Sequence, residues 1–482
     1  MAFGFFKKSG DAGSKSGLGS KVSLVFDAPS DDADKNMQAL RFAMNVADVF
    51  VSMGMPSQDV VVAVLKILRR YCERRVYVDI TARVVTLSQD RGLALAPITL
   101  TRVVEDRRVN TVLMQEVLRL IQDTKLENLT IDEAEERFKS FIRGRSPYPR
   151  WSRVVAAGGI SAGVSMVFTN SWVVILVSFL TGCLAEQIMR MMYRRAIPAF
   201  FVRIAAAAIM TMVAAGVTWL SENTAGVFAT VTNPTLIVVG GIVSMLMGVA
   251  FVAVIQDMID EYYITGVARL TKVVFMTLSV VIGIIFGLTI ARTLGASIAV
   301  SPDPIPAGGY VGQAFATAIL AFSAAAYSQS GAVSLFWSTV AGVSAWGLSV
   351  LVAYADFSSV IAAAAGGVLA GLAAEVLSRR FRIPSVSLLS AAVIPLVPGL
   401  ALFNGLMLVT GSTPGTSHFD QGLATLIGAT SVAVAIGSGT ALGTIIGRPL
   451  RKQLGFIRAA MPRQITKIRR RVDSNTMPED TP

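Results

Sequence analysis

AAVIPLVPGLALFNGLM, residues 391–407, is apolar enough to lie in a membrane, yet it carries Pro395, Pro398, Gly399 and Asn404. Proline has no N–H and its ring clashes with the preceding turn, so each proline leaves a carbonyl without its helical donor. In lipid such carbonyls must be satisfied by protein, water or a ligand. Gly399 removes a side chain where the backbone is already open, and Asn404 brings an amide donor and acceptor to the same helix. Freed carbonyls suit an ammonium and freed N–H groups suit a carboxylate. A short unwound segment here would be a receptor for a zwitterion near the bilayer midplane. The competing reading is a packing kink, since proline is frequent in transmembrane helices. The sequence leaves both open.

The rest of the chain agrees with a membrane protein. Of 482 residues, 53% are hydrophobic and 15% are charged, with a mean hydropathy of +0.61. So few charges do not cover the surface of a soluble protein. The net charge of +12 gathers at the ends of apolar runs, which points to membrane topology rather than to nucleic acid. Cys72 and Cys183 lie far apart with no metal-ligand spacing, which argues against a disulfide framework and a zinc site. No G-x-x-x-x-G-K-[ST] loop occurs, so an ATP-driven pump is disfavoured. His418 is the only histidine and lies far from the soluble segment, which therefore lacks a histidine-based triad. An enzyme is disfavoured and no cofactor is expected.

Residues 1–34 are rich in Gly, Ser, Lys and Asp and read as a flexible tail. MAFGFFKK is too short for a signal peptide. Residues 35–145 read as a small α+β domain. NMQALRFAMNVADVFVSMGM and PSQDVVVAVLKILRRYCERR have helical apolar spacing. VYVDITARVVTLS and APITLTRVVE read as strands. Two helices follow, the second opening on Thr130-Ile131-Asp132-Glu133, a capping start. Spans of about 20 apolar residues then fall at 154–170, 172–191, 201–220, 234–256, 270–291, 314–330, 332–354, 358–378, 385–409 and 421–447. The expected fold is an α-helical polytopic membrane protein. About ten transmembrane helices form two related five-helix halves, residues 151–292 and 310–450, with a basic C-terminal tail at 451–482.

Loop charge gives the orientation. RMMYRRAIPAFFVR, LSRRFRIP and GRPLRKQLGFIRAAMPRQITKIRRR follow the second, eighth and tenth spans, while the odd-numbered loops carry no Lys or Arg. The positive-inside rule puts the α+β domain and the C-terminus in the cytoplasm. Shifting the first five spans by about 150 residues lays VSMLMGVAFVAVIQD over IPLVPGLALFNGLML, so that Gly248 meets Gly399 and Ala250 meets Ala401. Five is odd, so the halves would be inverted, a recurrent transporter architecture. A second register pairs AEQIMRMMYRRAIP with AEVLSRRFRIP, the ends of the second and eighth spans.

The fourth span ends in VIQDMIDEYYITGVARL. Asp257 and Glu261 stand at i, i+4, and carboxylates near a bilayer suggest proton coupling. Asp257, with Gln256 beside it, is the coupling candidate, and a solvated loop is the alternative. Glu186 and Glu375 each precede an arginine by four residues, Arg190 and Arg379, and read as interfacial ion pairs.

Three stretches carry a family resemblance. MNVADVFVSMGMPSQDVVVAVLKILRRYCERRVYVDITARVVTLS, QDMIDEYYITGVARL and RRFRIPSVSLLSAAVIPLVPGLALFNGLM together resemble the threonine/serine exporter family of bacterial inner-membrane proteins. The resemblance runs from about Asn36 to about Lys452. It implies efflux of threonine and serine from the cytoplasm, driven by the proton-motive force, through a ten-span membrane part of two related halves. Its partners would be these amino acids, protons and the lipid bilayer; a homo-oligomer is compatible with it. No family catalytic signature transfers, so the site candidates remain Pro395, Pro398, Gly399, Asn404 and Gly248 for substrate, with Asp257 and Gln256 for the proton. The fourth span has LMGVA where some relatives break at proline-glycine, which implies that only the ninth is strongly unwound. The alternative function is a channel or transporter for another small metabolite, such as a dicarboxylate or small peptide.

Overall fold

The computed structural model describes residues 33–460 apart from 73, 93–94, 145–147, 150, 224–234, 246–247, 296–308, 382 and 413–414. Of the two expected tails, residues 1–32 and 461–482 lie outside the described residues.

Seven elements build the N-terminal domain: α1 (Ala33–Ser52), α2 (Ser57–Tyr71), β1 (Val76–Thr81), β2 (Val84–Gln89), β3 (Ile98–Val103), α3 (Thr111–Leu126) and α4 (Ile131–Arg143). The strands form an antiparallel meander in the order β1-β2-β3, with Thr81 opposite Val84 and Gln89 opposite Ile98. Alternation decides which face is buried. Val85, Leu87 and Gln89 point into the core, while Ser88 bonds Thr99 on the other face at 2.9 Å. The helices cover the inner face with Leu40, Phe42, Phe50, Val64 and Ile67, and Phe42 meets Phe138 of α4 edge-on at 5.7 Å. Thr130 and Glu133 form the expected capping box at the start of α4.

The remaining helices are α5 (Ser152–Phe168), α6 (Trp172–Arg194), α7 (Ala199–Asn223), α8 (Thr235–Met245), α9 (Gly248–Ile259), α10 (Tyr263–Thr293), α11 (Tyr310–Tyr327), α12 (Ala332–Tyr354), α13 (Ser359–Phe381), α14 (Ser385–Val393), α15 (Gly399–Gly411) and α16 (Ser417–Ala460). Among the described residues, seven helices are long and apolar enough to cross a membrane: α6, α7, α10, α11, α12, α13 and α16. The chain is an α-helical polytopic membrane protein with a small N-terminal α+β region. Residues 385–409 read as a continuous span by hydropathy but hold two shorter helices, and a hydropathy window reads through such an interruption. In the expected span 234–256, residues 234 and 246–247 lie outside the described residues, and α8 and α9 are its described parts. The first expected span, α5, is a shorter apolar helix.

Packing between these helices relies on close backbone approach, because lipid offers no hydrophobic drive for helices to associate. A side chain at Gly283 of α10 would run into the Ile204 carbonyl of α7. A side chain at Gly443 of α16 would run into the Val368 carbonyl of α13.

Candidate functional site

The ninth expected span breaks where its prolines stand. α14 ends at Val393, and Ile394–Leu396 form a single 3-10 turn closed by Val397 N–H donating to the Ile394 carbonyl at 3.3 Å. Val397 is extended, at φ −65° and ψ 127°. Pro398, at φ −77° and ψ 56°, centres an inverse γ-turn in which Gly399 N–H donates to the Val397 carbonyl at 2.8 Å. Leu402 N–H then donates to the Pro398 carbonyl at 3.0 Å and α15 begins. The ring nitrogen of Pro395 leaves the Ala391 carbonyl without its helical donor. Asn404, 6% exposed, sits in the second turn of α15.

The fourth expected span is described on either side of residues 246–247. α8 ends at Met245 and α9 begins at Gly248, with 246–247 outside the described residues. Arg203 of α7 donates to the Met245 carbonyl at 2.9 Å, an acceptor that a continuous helix would use for residue 249. α8 packs on α15, and α9 packs on α14. Gly248 and the Pro395–Gly399 segment therefore lie on helices that contact one another.

Asp257 and Gln256 lie at the other end of α9, nine residues and roughly 14 Å along the helix from Gly248. Asp257 is 1% exposed. It accepts from Ser57 N–H at 2.9 Å and pairs with Arg269 of α10 at 2.7 Å. Arg269 also donates to the Met55 carbonyl at 3.0 Å. Asp257 and Glu261 do not share the helical face expected from their i, i+4 spacing: α9 ends at Ile259 and Glu261 turns the chain at φ 69°. Gln256 lines a cavity of about 20 Å³ between Gly54 and Pro56 of the N-terminal domain, α9 and α14.

Sequence reasoning missed the partners of both buried carboxylates. Glu186, which has Arg190 among the charges around it, also forms an ion pair with Arg108 of the N-terminal domain at 3.1 Å and accepts from the Tyr327 hydroxyl at 3.1 Å. Arg153 donates to the Val109 carbonyl at 2.6 Å and to Gln329 Oε1 at 2.8 Å. The partners of each carboxylate come from both the domain and other helices, and no local spacing reveals such contacts.

A family model described as "Putative threonine/serine exporter" matches residues 41–291, more than half of the chain. The chain belongs to the threonine/serine exporter family. A second model, "Threonine/Serine exporter, ThrE", matches residues 313–446 of this family member. A Mycobacterium tuberculosis protein named "Probable threonine/serine exporter" is 28% identical over 429 residues, covering 87% of this chain and 78% of the relative. A Corynebacterium glutamicum "Threonine/serine exporter" is 25% identical over 443 residues, covering 89% of this chain and 86% of the relative. No solved structure matches this exporter-family chain. The interruption at Pro395–Gly399 falls inside the region matched by the second model.

Proposed function

We propose that this chain is a secondary transporter that exports threonine and serine from the cytoplasm, driven by the proton-motive force. The observation that carries the reading is the interrupted helix at Pro395–Gly399, whose two pieces pack on α9 and α8. Family membership supplies the substrate class.

Two related five-helix halves, ten spans in all, account for the packing. In the first half α5 packs on α6 and α8, and α7 packs on α10. In the second, α11 packs on α12 and α14, and α13 packs on α16. First-with-second, first-with-fourth and third-with-fifth thus recur in each half. The N-terminal domain and the C-terminus are cytoplasmic, and the membrane is the bacterial inner membrane. The loops rich in Lys and Arg support that side for them. Single cysteines at Ser358 and Ser412 should label from outside intact cells with an impermeant maleimide, and one at Ser378 should not. The reverse pattern would refute the orientation.

In this reading the substrate's ammonium meets carbonyls freed at the end of α14, and its carboxylate meets the N–H groups that follow Gly399 in the first turn of α15, with Gly248 as the second small residue of the site. Asn404 reads the hydroxyl. Asp257, with Gln256 beside it, carries the proton, since uptake there removes the charge that Arg269 and Ser57 hold. Purified protein should be stabilised against heat by threonine. Asn404→Leu should weaken threonine binding roughly tenfold to a hundredfold, for a lost buried hydrogen bond of about 1–3 kcal/mol. Pro398→Ala should weaken it too, by letting the helix close. Stabilisation by threonine that matches the parent's in both variants would move the site elsewhere.

A further inference from the structure

We propose that the N-terminal domain is the cytoplasmic gate of this transporter, with the Met55–Ser57 turn and the first turn of α2 as its plug. The inference rests on the transport reading above. The turn is seated where α9 and α14 leave the membrane part on the domain side. From α9, Asp257 holds the Ser57 N–H at 2.9 Å. From α10, Arg269 holds both Asp257 and the Met55 carbonyl. From α14, Ser385 reaches Asp59 at 3.5 Å, and Val386 packs against the hydrophobic core of the domain itself. The space left between the turn, α9 and α14 is about 20 Å³. That is room for about one water and none for an amino acid.

A solute moving between the cytoplasm and the Pro395–Gly399 interruption along α9 and α14 meets this turn first. Most of the contacts on it are hydrogen bonds, which can be released without unfolding either part. A second set of contacts, centred on Arg108 with Glu186 and on Thr111 N–H with the Ser328 carbonyl at 3.0 Å, holds the opposite side of the domain. It can act as a hinge while the turn swings away. Thr265 fixes the β1–β2 turn from the start of α10, accepting from Ala82 N–H and donating to the Ile80 carbonyl, both at 3.0 Å. The domain is therefore docked at several points, and the α2 end is the one lying over the path.

Two arms test the gate in the full-length protein. The first replaces Asp59 and Ser385 together with cysteine, so that mild oxidation tethers the turn to α14. Cys72 does not compete, because it is buried and burial pushes its thiol up to about 11. Threonine efflux from proteoliposomes should fall roughly tenfold or more on oxidation and recover on reduction. Equal efflux in the tethered and reduced protein would overturn the gate. The second arm needs no substrate. Gln256→Cys in inside-out vesicles should react with an impermeant maleimide roughly tenfold faster when Arg269→Gln loosens the turn. Equal labelling rates would also overturn the gate. If labelling accelerates while the reduced protein moves no threonine, the gate stands and the substrate reading falls.

Discussion

Arg269→Ala is expected to lower the stability of the folded protein by about 3–5 kcal/mol, the cost of leaving one member of a buried ion pair alone. Asp257 is 1% exposed and Arg269 18%, so little water reaches the carboxylate to replace the lost partner. The same substitution strips the Met55 carbonyl of its donor. The loss should appear as a lower melting temperature in detergent and as faster proteolysis between the N-terminal domain and the membrane part. Removing both charges, Arg269→Ala with Asp257→Ala, should cost clearly less than the sum of the single changes, because no buried charge is then left unpaired. If Arg269→Ala melts with the parent, the clamp on the α2 turn is not a stabilising contact.

Gly443→Val carries the other large expected effect. Its first side-chain carbon would overlap the Val368 carbonyl of α13, and backbone cannot rotate away as a side chain can. Overpacking a tight core costs about 1–3 kcal/mol and more where backbone must shift. The yield of monodisperse protein should collapse. Gly428→Val, on the same helix, is the control: nothing lies within 4 Å of the carbon it would add. Equal loss from both substitutions would mean that helix propensity, rather than the α13–α16 crossing, sets the damage.

Much of the architecture is legible in the sequence because its signals are local. Val84–Gln89 alternates, so the strand and its buried face can be read together. Pro395 and Pro398 mark the ninth-span interruption by chemistry that no tertiary context can restore. The hold of Arg203 on the Met245 carbonyl, some 40 positions later, was not legible, because nothing local links the two. The surroundings of Asp257 were hidden for the same reason. Its partners are Ser57, 200 positions upstream, and Arg269, beyond a turn that depends on Glu261 adopting φ 69°. A helical wheel extended through that turn puts Glu261 on the wrong face.

The start of α2 has a consequence for how the chain is made. Pro56 occupies the N-cap position and offers no side-chain hydrogen bond. The capping oxygen comes instead from Asp257, on another helix. A helix end without a cap is costlier to keep folded by about 0.5–2 kcal/mol. During synthesis the N-terminal domain is complete long before residue 257 has left the ribosome. Until then α2 must rely on water at its first turn. The N-terminal α+β region therefore reaches its full stability only once α9 is in place, which joins its folding to the assembly of the apolar helices.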